Sequence, residues 1–382
     1  LTTNIDITHQ PIGWGPYVIT EWVVGESTKL ARNPRYFRAA EGLPRIDALT
    51  FRFVPDAASA LTDLTAGKCD VVLHDSFGRK QADLIPAIDA AAAQGGLVAQ
   101  YAADASWEHL DFNLSPADDR TPFFADPAVR RAVALCLDRK ALADAVYPGH
   151  GVVAASLVPQ TSPYFAADAI TQYQYDPAAG RDALAAAGWQ DGDGDGIVEK
   201  ESTPLTVELT LQSGTPDEKV SALIARDLSA CGLGVTPRFV SGEQISGVGA
   251  TSPIFRRQFD LALFAWRGAL SGEPQCELYA SSQIPTEENN WRGSNTTAYT
   301  NRTFDLACQS AREATSFAVG LAAYQETQRI FTADLPSLPL FHRLQWLVAR
   351  PGVSGLTLDG IALDDLRSEL TLIEELTKSE LR

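Results

Sequence analysis

Apolar segments of two different periods alternate along this chain, and that alternation limits the fold more than any other feature. LTFRFV (49–54), CDVVL (69–73), LTVELTLQS (205–213), FDLALFAW (259–266) and SLPLFHRLQWLVA (337–349) read as strands. Helical segments stand between them, each opened by a recognisable cap. Asp56 caps AASALTDLTA, which ends at Gly67. Asp126-Pro127 opens PAVRRAVALCLDRKALADAVY, and Asp176-Pro177 opens AAGRDALAAAG, stopped by Gly188. The aspartate accepts from free N–H groups of the first turn, and a proline at the first helical position has no N–H to leave unsatisfied. Thr215, Pro216 and Glu218 read as a capping box before EKVSALIARDLSACG, stopped at Gly232, and Asn301 caps a helix running to about Phe331. GPYVITEWVVGESTKLARN reads as a β-hairpin turning near Gly25 and Glu26. LTFRFV, the Asp56 helix and CDVVL read as a β-α-β unit whose second strand runs into HDSF, and ligands bind beyond such strand ends. Helix–strand alternation gives an α/β class. A length of 382 residues suits two lobes rather than one core.

Charge narrows the partners. Lys and Arg number 31 against 48 Asp and Glu, a net charge of −17. Such a surface repels phosphate backbones and anionic lipid heads, so no nucleic-acid partner is expected. No run approaches the about 18 apolar residues needed to span a bilayer. The chain begins with Leu and contains no Met. With no basic and apolar leader, it reads as a processed product or an internal fragment.

The five cysteines, at 69, 136, 231, 276 and 308, form no CxxC pair, which argues against a zinc ribbon or a thioredoxin site. Cys276 and Cys308 flank a polar, loop-rich stretch that a core would hold poorly. A disulfide there would limit its unfolded freedom; two separate buried thiols are the other reading. Cys136, Cys231 and Cys69 read as small core residues. A Cys276–Cys308 bridge implies an oxidising compartment.

GWQDGDGDGIVEKES (188–202) carries the start of a calcium loop. Counting from Asp191, Asp193 and Asp195 fill the next two ligand positions and Gly196 the turn, but position 12 is Ser202 and a strand-rich segment follows where an EF-hand has a helix. A structural Ca²⁺ held by Asp191, Asp193, Asp195 and Glu199 or Glu201 is one reading. An Asp/Gly turn with solvated charges is the other. No cofactor is required under either.

The five histidines, at 9, 74, 109, 150 and 342, are scattered, and no HExxH, GxSxG, P-loop or GxGxxG is present. His109 and His342 fall on strands and read as hydrogen-bonded structural residues. Trp107, Trp266, Trp291 and Phe341 fall near strand ends or loops beside Arg267, Glu273 and Asn113. An aromatic wall with a few polar anchors is how clefts hold small organic molecules, although each ring taken alone is as compatible with core packing.

Taken together, five stretches resemble the family 5 extracellular solute-binding proteins, the oligopeptide- and dipeptide-binding components of ABC importers. They are GWGPYVITEWVVGESTKLARNPRYF, IDALTFRFVPDAASALTDLTAGKCDVV, PFFADPAVRRAVALCLDRKALADAVYPGHG, YDPAAGRDALAAAGWQDGDGDGIVEKESTPLTVELTL and FDLALFAWRG, and they run in family order over nearly the whole chain. The resemblance implies a two-lobed α/β fold of the periplasmic-binding type. Residues 1–110 and 341–382 would form lobe I and residues 111–340 a helix-rich lobe II. Strands near Leu110–Asn113 and Pro339–His342 would be the hinge, with the solute held between closing lobes. In the peptide binders a Trp-x-x-Asp stretch follows the strand matching FDLALF, and its Asp pairs with the peptide α-amino group. Here it is Trp266-Arg267-Gly268-Ala269: the Trp is present, the Asp is replaced by Ala269, and Arg267 adds a cation suited to a carboxylate or hydroxylated group. The family also has a substantial stretch ahead of the hairpin. This chain begins almost at the hairpin, as an N-terminally truncated form would, so part of the first lobe's sheet is expected to lack partners and solute binding to be weak.

The expected function is therefore capture of a peptide or other small solute, without chemistry on it, and delivery to an ABC permease at the membrane. The protein would be a monomer in the periplasm or at the cell surface, compatible with a lipid anchor on the full-length form. Trp266 would stack on the solute and Arg267 anchor a polar end; Trp107 and Asn113 would approach from the hinge side, and Asp75 and Phe77 from lobe I. A secreted hydrolase is the alternative that turnover of esters, glycosides or peptides would reveal. A calcium-stabilised surface module is the alternative that melting with and without EDTA would reveal.

Overall fold

The computed structural model describes residues 13–73, 76–77, 79–247, 251–269, 272–356, 358 and 377–378. In chain order the elements are β1 (Tyr17–Val23), β2 (Ser27–Arg32), β3 (Ala48–Arg52), α1 (Ala57–Thr65), β4 (Val71–Val72), α2 (Ile85–Ala93) and β5 (Val98–Phe112). Then come α3 (Pro127–Cys136), α4 (Arg139–Val146), α5 (Pro177–Ala186), β6 (Glu199–Lys200), β7 (Thr203–Pro204), β8 (Thr206–Gln212), α6 (Asp217–Ser229), β9 (Gly234–Val240) and α7 (Gly242–Ser246). The chain continues with β10 (Leu261–Trp266), α8 (Arg302–Arg312), α9 (Phe317–Asp334), β11 (Ser337–Ala349), β12 (Val353–Ser354) and β13 (Thr377–Lys378). Two compact units result: residues 1–102 with 345–382, and residues 103–344. Both changeovers fall inside long strands, β5 and β11.

In the first unit, β1, β2 and β3 form an antiparallel meander. Gly25 makes its first turn at φ +74°, a conformation that side chains with a Cβ resist. Asp56 caps α1 as expected, its Oδ1 accepting from the Ser59 amide at 2.8 Å. The expected β-α-β unit does not form. β3 belongs to the meander, while β4 pairs antiparallel with the end of β11 through Val72 and Val348. Two short strands around a helix fit either topology, and only the distant partner decides.

In the second unit, the strands run in the order β11-β5-β10-β8-β9. β10 is antiparallel to β5, and β8 is parallel to both β10 and β9. The part of β5 from Ala105 to Phe112 is buried at every position, so both its faces are covered and its polar side chains, Ser106, Glu108, His109 and Asp111, need partners inside the protein. Asp126 and Asp176 cap α3 and α5 through the amides of Ala128 and Ala179.

Local signals misjudge three helix boundaries. Asp138 ends the expected long helix by capping a new one, its Oδ1 accepting from the Ala141 amide at 3.0 Å. The helix opened by Asn301 likewise stops at Arg312, and α9 restarts after Ser316. At α6, Thr215 Oγ1 donates to the Gln212 carbonyl instead of accepting from the helix, so no capping box forms, although Glu218 still accepts from the Gly214 amide at 2.6 Å.

Cys276 and Cys308 are joined, as expected, with Cα atoms 5.6 Å apart. Cys136 and Cys231 are also joined, across 95 residues, where separate core residues were expected. An inward-facing helical cysteine has the same sequence signature in both cases, and the pairing is tertiary. Gly180 lies so close to Cys136 Sγ that a Cβ has no room, which fixes α5 against α3 beside this bridge. Cys69 is the remaining thiol, half-buried, and its Sγ donates to the Val71 carbonyl.

Candidate functional site

The site is built where β10 ends. Trp266 is its last residue and stands opposite Trp107 of β5, with Phe264 opposite His109. Directly opposed residues of an antiparallel pair share a face, as do residues two apart. The four rings therefore gather on one side of the sheet. Trp266 stacks on His109 with centroids 5.9 Å apart and planes 11° from parallel. Phe264 meets Trp266 edge-on at 5.2 Å and His109 at 4.3 Å. The Trp266 ring is thus braced from behind and only partly buried.

Behind His109 lies a buried polar cluster. His109 Nε2 is 3.4 Å from Asp111 Oδ1. Asp111 Oδ2 accepts from Thr296 Oγ1 at 2.7 Å, and the Tyr279 hydroxyl is 3.4 Å from Oδ1. Burial pushes the His109 imidazole down and the Asp111 carboxyl up, and each partly reverses the other's shift. The His109 Nδ1 faces the Trp107 carbonyl at 3.4 Å. Among the described residues neither ring nitrogen is bonded to a hydroxyl or thiol.

Arg267 follows Trp266 and is exposed. Gly268 is pressed on β5: a Cβ there would run into the carbonyl oxygen and Cβ of Ala105. That close approach carries Arg267 past the neighbouring strand. Burial raises the Asp104 carboxyl, hydrogen bonds from the Ser106 amide and hydroxyl draw it partly back down, and the Arg343 and Arg267 charges add a smaller downward pull. Arg343 Nε also donates to the buried Glu108 Oε1 at 2.8 Å. A braced indole followed in sequence by an exposed guanidinium can hold a planar or apolar group together with a carboxylate or hydroxyl.

The other residues expected at the site lie elsewhere. Trp107 is buried in the core, with Phe331 edge-on at 6.4 Å and Tyr279 at 6.5 Å, so it has no face left for a solute. Asn113 is buried too, and its Nδ2 donates to the carbonyls of Arg257 and Phe259, pinning the chain ahead of β10. Phe77 is buried against Trp346, with centroids 5.6 Å apart. All three are corrected to scaffold residues, because an aromatic near a strand end reads the same whether it faces core or solvent. Asp75 lies outside the described residues. Phe341 is core, Glu273 accepts from the Tyr164 hydroxyl, and Trp291 carries the Arg256 guanidinium 5.2 Å from its ring. Sequence reading missed the His109–Asp111 pair as a unit. The i, i+2 spacing in WEHLD was the available signal, since it puts Trp107, His109 and Asp111 on one face.

In the DGDGDG loop, Asp191, Asp193, Asp195 and Glu199 each offer an oxygen, all within 4.8 Å of one another. An all-oxygen donor set suits Ca²⁺. The same carboxylates accept backbone amides: Asp191 from Gly194 and Gly196, Asp193 from Asp195, Asp195 from Ile197 and Glu199 from Gly192. Glu201 and Ser202 form the turn between β6 and β7 at positive φ, so the position expected to close an EF-hand stands in a hairpin.

Residues 3–283 match the sequence model described as bacterial extracellular solute-binding proteins, family 5 Middle. The oligopeptide-binding protein AppA of Bacillus subtilis is 27% identical over 336 residues, covering 87% of this chain and 57% of that protein. The chain thus spans little more than half the length of that relative. The structure of the same Bacillus protein in complex with a nonapeptide superposes with a TM-score of 0.63 at 24% identity, over 96% of this chain and 66% of the other. NikA from Brucella suis, in complex with Fe(III)-EDTA, superposes with a TM-score of 0.73 at 21% identity, over 97% of this chain and 69% of the other. These superpositions show a shared fold, that of the two-lobed solute-binding proteins. Among the described residues no helix is long and apolar enough to cross a membrane. By its sequence, this chain belongs to the family 5 bacterial extracellular solute-binding proteins.

Proposed function

We propose that the chain captures a small solute outside the cytoplasm, unaltered, for delivery to an ABC permease. The observation that carries this reading is the end of β10, where Trp266 is braced by His109 and Phe264 and is followed by the exposed Arg267. The His–Asp pair behind it lacks a bonded nucleophile, which supports binding over hydrolysis. Trp266 stacks on the solute and Arg267 takes a carboxylate or another electron-rich group. With Ala269 in place of an acid, the free amino terminus of a peptide has no counter-charge at that position. We therefore favour a solute with an anionic or hydroxylated end, whether a blocked peptide or a non-peptide. The relatives leave room for both, since one holds a nonapeptide and another Fe(III)-EDTA. The protein acts as a monomer in the periplasm or, held by a lipid anchor, at the cell surface. Native mass spectrometry of the protein purified from its source tests this. A co-purifying solute released unchanged on denaturation is expected, and release of only chemically altered products overturns the reading.

A further inference from the structure

Away from β10, the 103–344 unit holds a cavity of about 240 Å³ lined by Arg139, Gln160, Gln172, Tyr173, Gln174 and Pro339, among others. Arg139 is the first residue of α4. Its Nη1 donates to the carbonyls of Ala154 (3.2 Å) and Pro339 (3.0 Å), and its Nη2 to that of Tyr173 (2.7 Å). All three acceptors are neutral, and among the described residues no carboxylate pairs with Arg139. Burial alone pushes this guanidinium down to about 10. Three of its five N–H donors are used, leaving Nε–H and one Nη2–H.

Tyr173, whose carbonyl Arg139 holds, is itself acted on by charged groups. Arg130 and Arg131 both act on the Tyr173 phenol, and Asp334 is the acid acting there. The Asp334 carboxylate already accepts from the Tyr299 hydroxyl at 2.6 Å and from Asn301 Nδ2 at 2.8 Å. That carboxylate is therefore engaged, and Arg130 donates to the Asp334 carbonyl through Nε and Nη2. A cation drawn out of water ordinarily has a paired anion, and Arg139, half-buried, is held by carbonyl dipoles that leave its charge intact.

We propose that this cavity is a separate binding site for a small carboxylate of dicarboxylate or amino-acid size, with Arg139 as its counter-charge and the amides of Gln160, Gln172 and Gln174 as further hydrogen-bond partners. The size follows from the volume, which falls below the roughly 300–1,000 Å³ of sites for drug-sized ligands. The anion preference follows from the missing counter-ion. If Arg139 serves only to tie Ala154, Tyr173 and Pro339 together, the cavity holds water and shows no such preference.

Calorimetric titration with succinate, and with neutral succinamide as its control, decides between these. Succinate is expected to bind at least about tenfold more tightly than succinamide, the difference of one charge-assisted contact. Arg139→Gln is expected to abolish the preference, but it also removes three ties and may not fold. Gln172→Glu keeps the fold, because the side chain is exposed, and puts a negative charge at the cavity wall. It is expected to weaken succinate by at least about tenfold. Trp266→Ala is expected to leave succinate binding unchanged. No succinate binding, equal binding of succinamide, no effect of Gln172→Glu, or loss on Trp266→Ala would each overturn the proposal.

Discussion

The two units differ in how completely they enclose their own apolar residues. The 103–344 unit carries both disulfides, has a central strand buried over half its length, and places a cluster of rings around Trp107, Tyr279, Phe304 and Phe331 behind β5. The other unit has no disulfide among its described residues, and its three-stranded meander leaves large side chains in solvent: Trp14 is 91% exposed, Phe37 77%, and Trp22 and Phe53 are exposed as well. A face of that kind is weakly held, because exposed rings contribute little transfer free energy to folding. The lesson is that the part carrying the candidate site has its own cross-links and core, whereas the hairpin that looks so regular in sequence does not.

The largest effect that would break this contrast is on the disulfides. Replacing Cys136 and Cys231 by Ala removes a loop closure of 95 residues, and replacing Cys276 and Cys308 removes one of 32. The expected losses are about 4.7 and about 3.7 kcal/mol in the chain-entropy picture. Hydrogen exchange read unit by unit checks this. Protection should fall in residues 103–344 and stay as it is in the meander; equal losses in both would show that the units do not unfold separately.

The next effect is acid sensitivity within the second unit. His342 is buried on β11, and burial pushes its pKa from 6.5 down to about 4, partly offset by the backbone of Ser106 and Asp104. The folded state holds the neutral ring, whereas the unfolded chain takes up the proton first. The contribution is therefore complete above the unfolded value near 6.5 and is lost as pH falls from there toward 4. The loss at pH 4 is about 3 kcal/mol. Denaturant melts of wild type and His342→Gln between pH 7 and 4 should converge at the acid end by that amount; parallel curves would remove His342 from the account.

The smallest effect concerns the 191–199 loop. A calcium ion on its four carboxylates, supplied at about ten times its Kd, would raise the stability of this unit by about 1.4 kcal/mol, reversed by EDTA. An unchanged melting midpoint would leave the run as an Asp/Gly turn closed by its own amide bonds.

Much of the scaffold was legible because its signals are local. The strands around Phe264 and Phe341, the caps at Asp56, Asp126, Asp176 and Asn301, and the turn at Gly25 each follow from a period or a single residue type. The failures share a different cause. Asp138 sits inside a helical period and still starts a new helix, and Cys136 finds Cys231 only in three dimensions. β3 and β4 look like neighbours and belong to different sheets. At the site, Arg267 and Trp266 keep surface open to solvent. Trp107, Asn113 and Phe77 do not, because facing inward or outward is a tertiary outcome. The stacking of His109 behind Trp266 was present only as an alternation of side chains along β5.

The most direct measurement is a calorimetric titration of the solute recovered from the purified protein against wild type, Trp266→Phe and Trp266→Ala. The account predicts that Ala weakens binding by about tenfold to a hundredfold, that Phe retains most of it, and that the solute leaves the experiment unchanged. Equal affinity for Ala and wild type, or a solute converted to product, would contradict it.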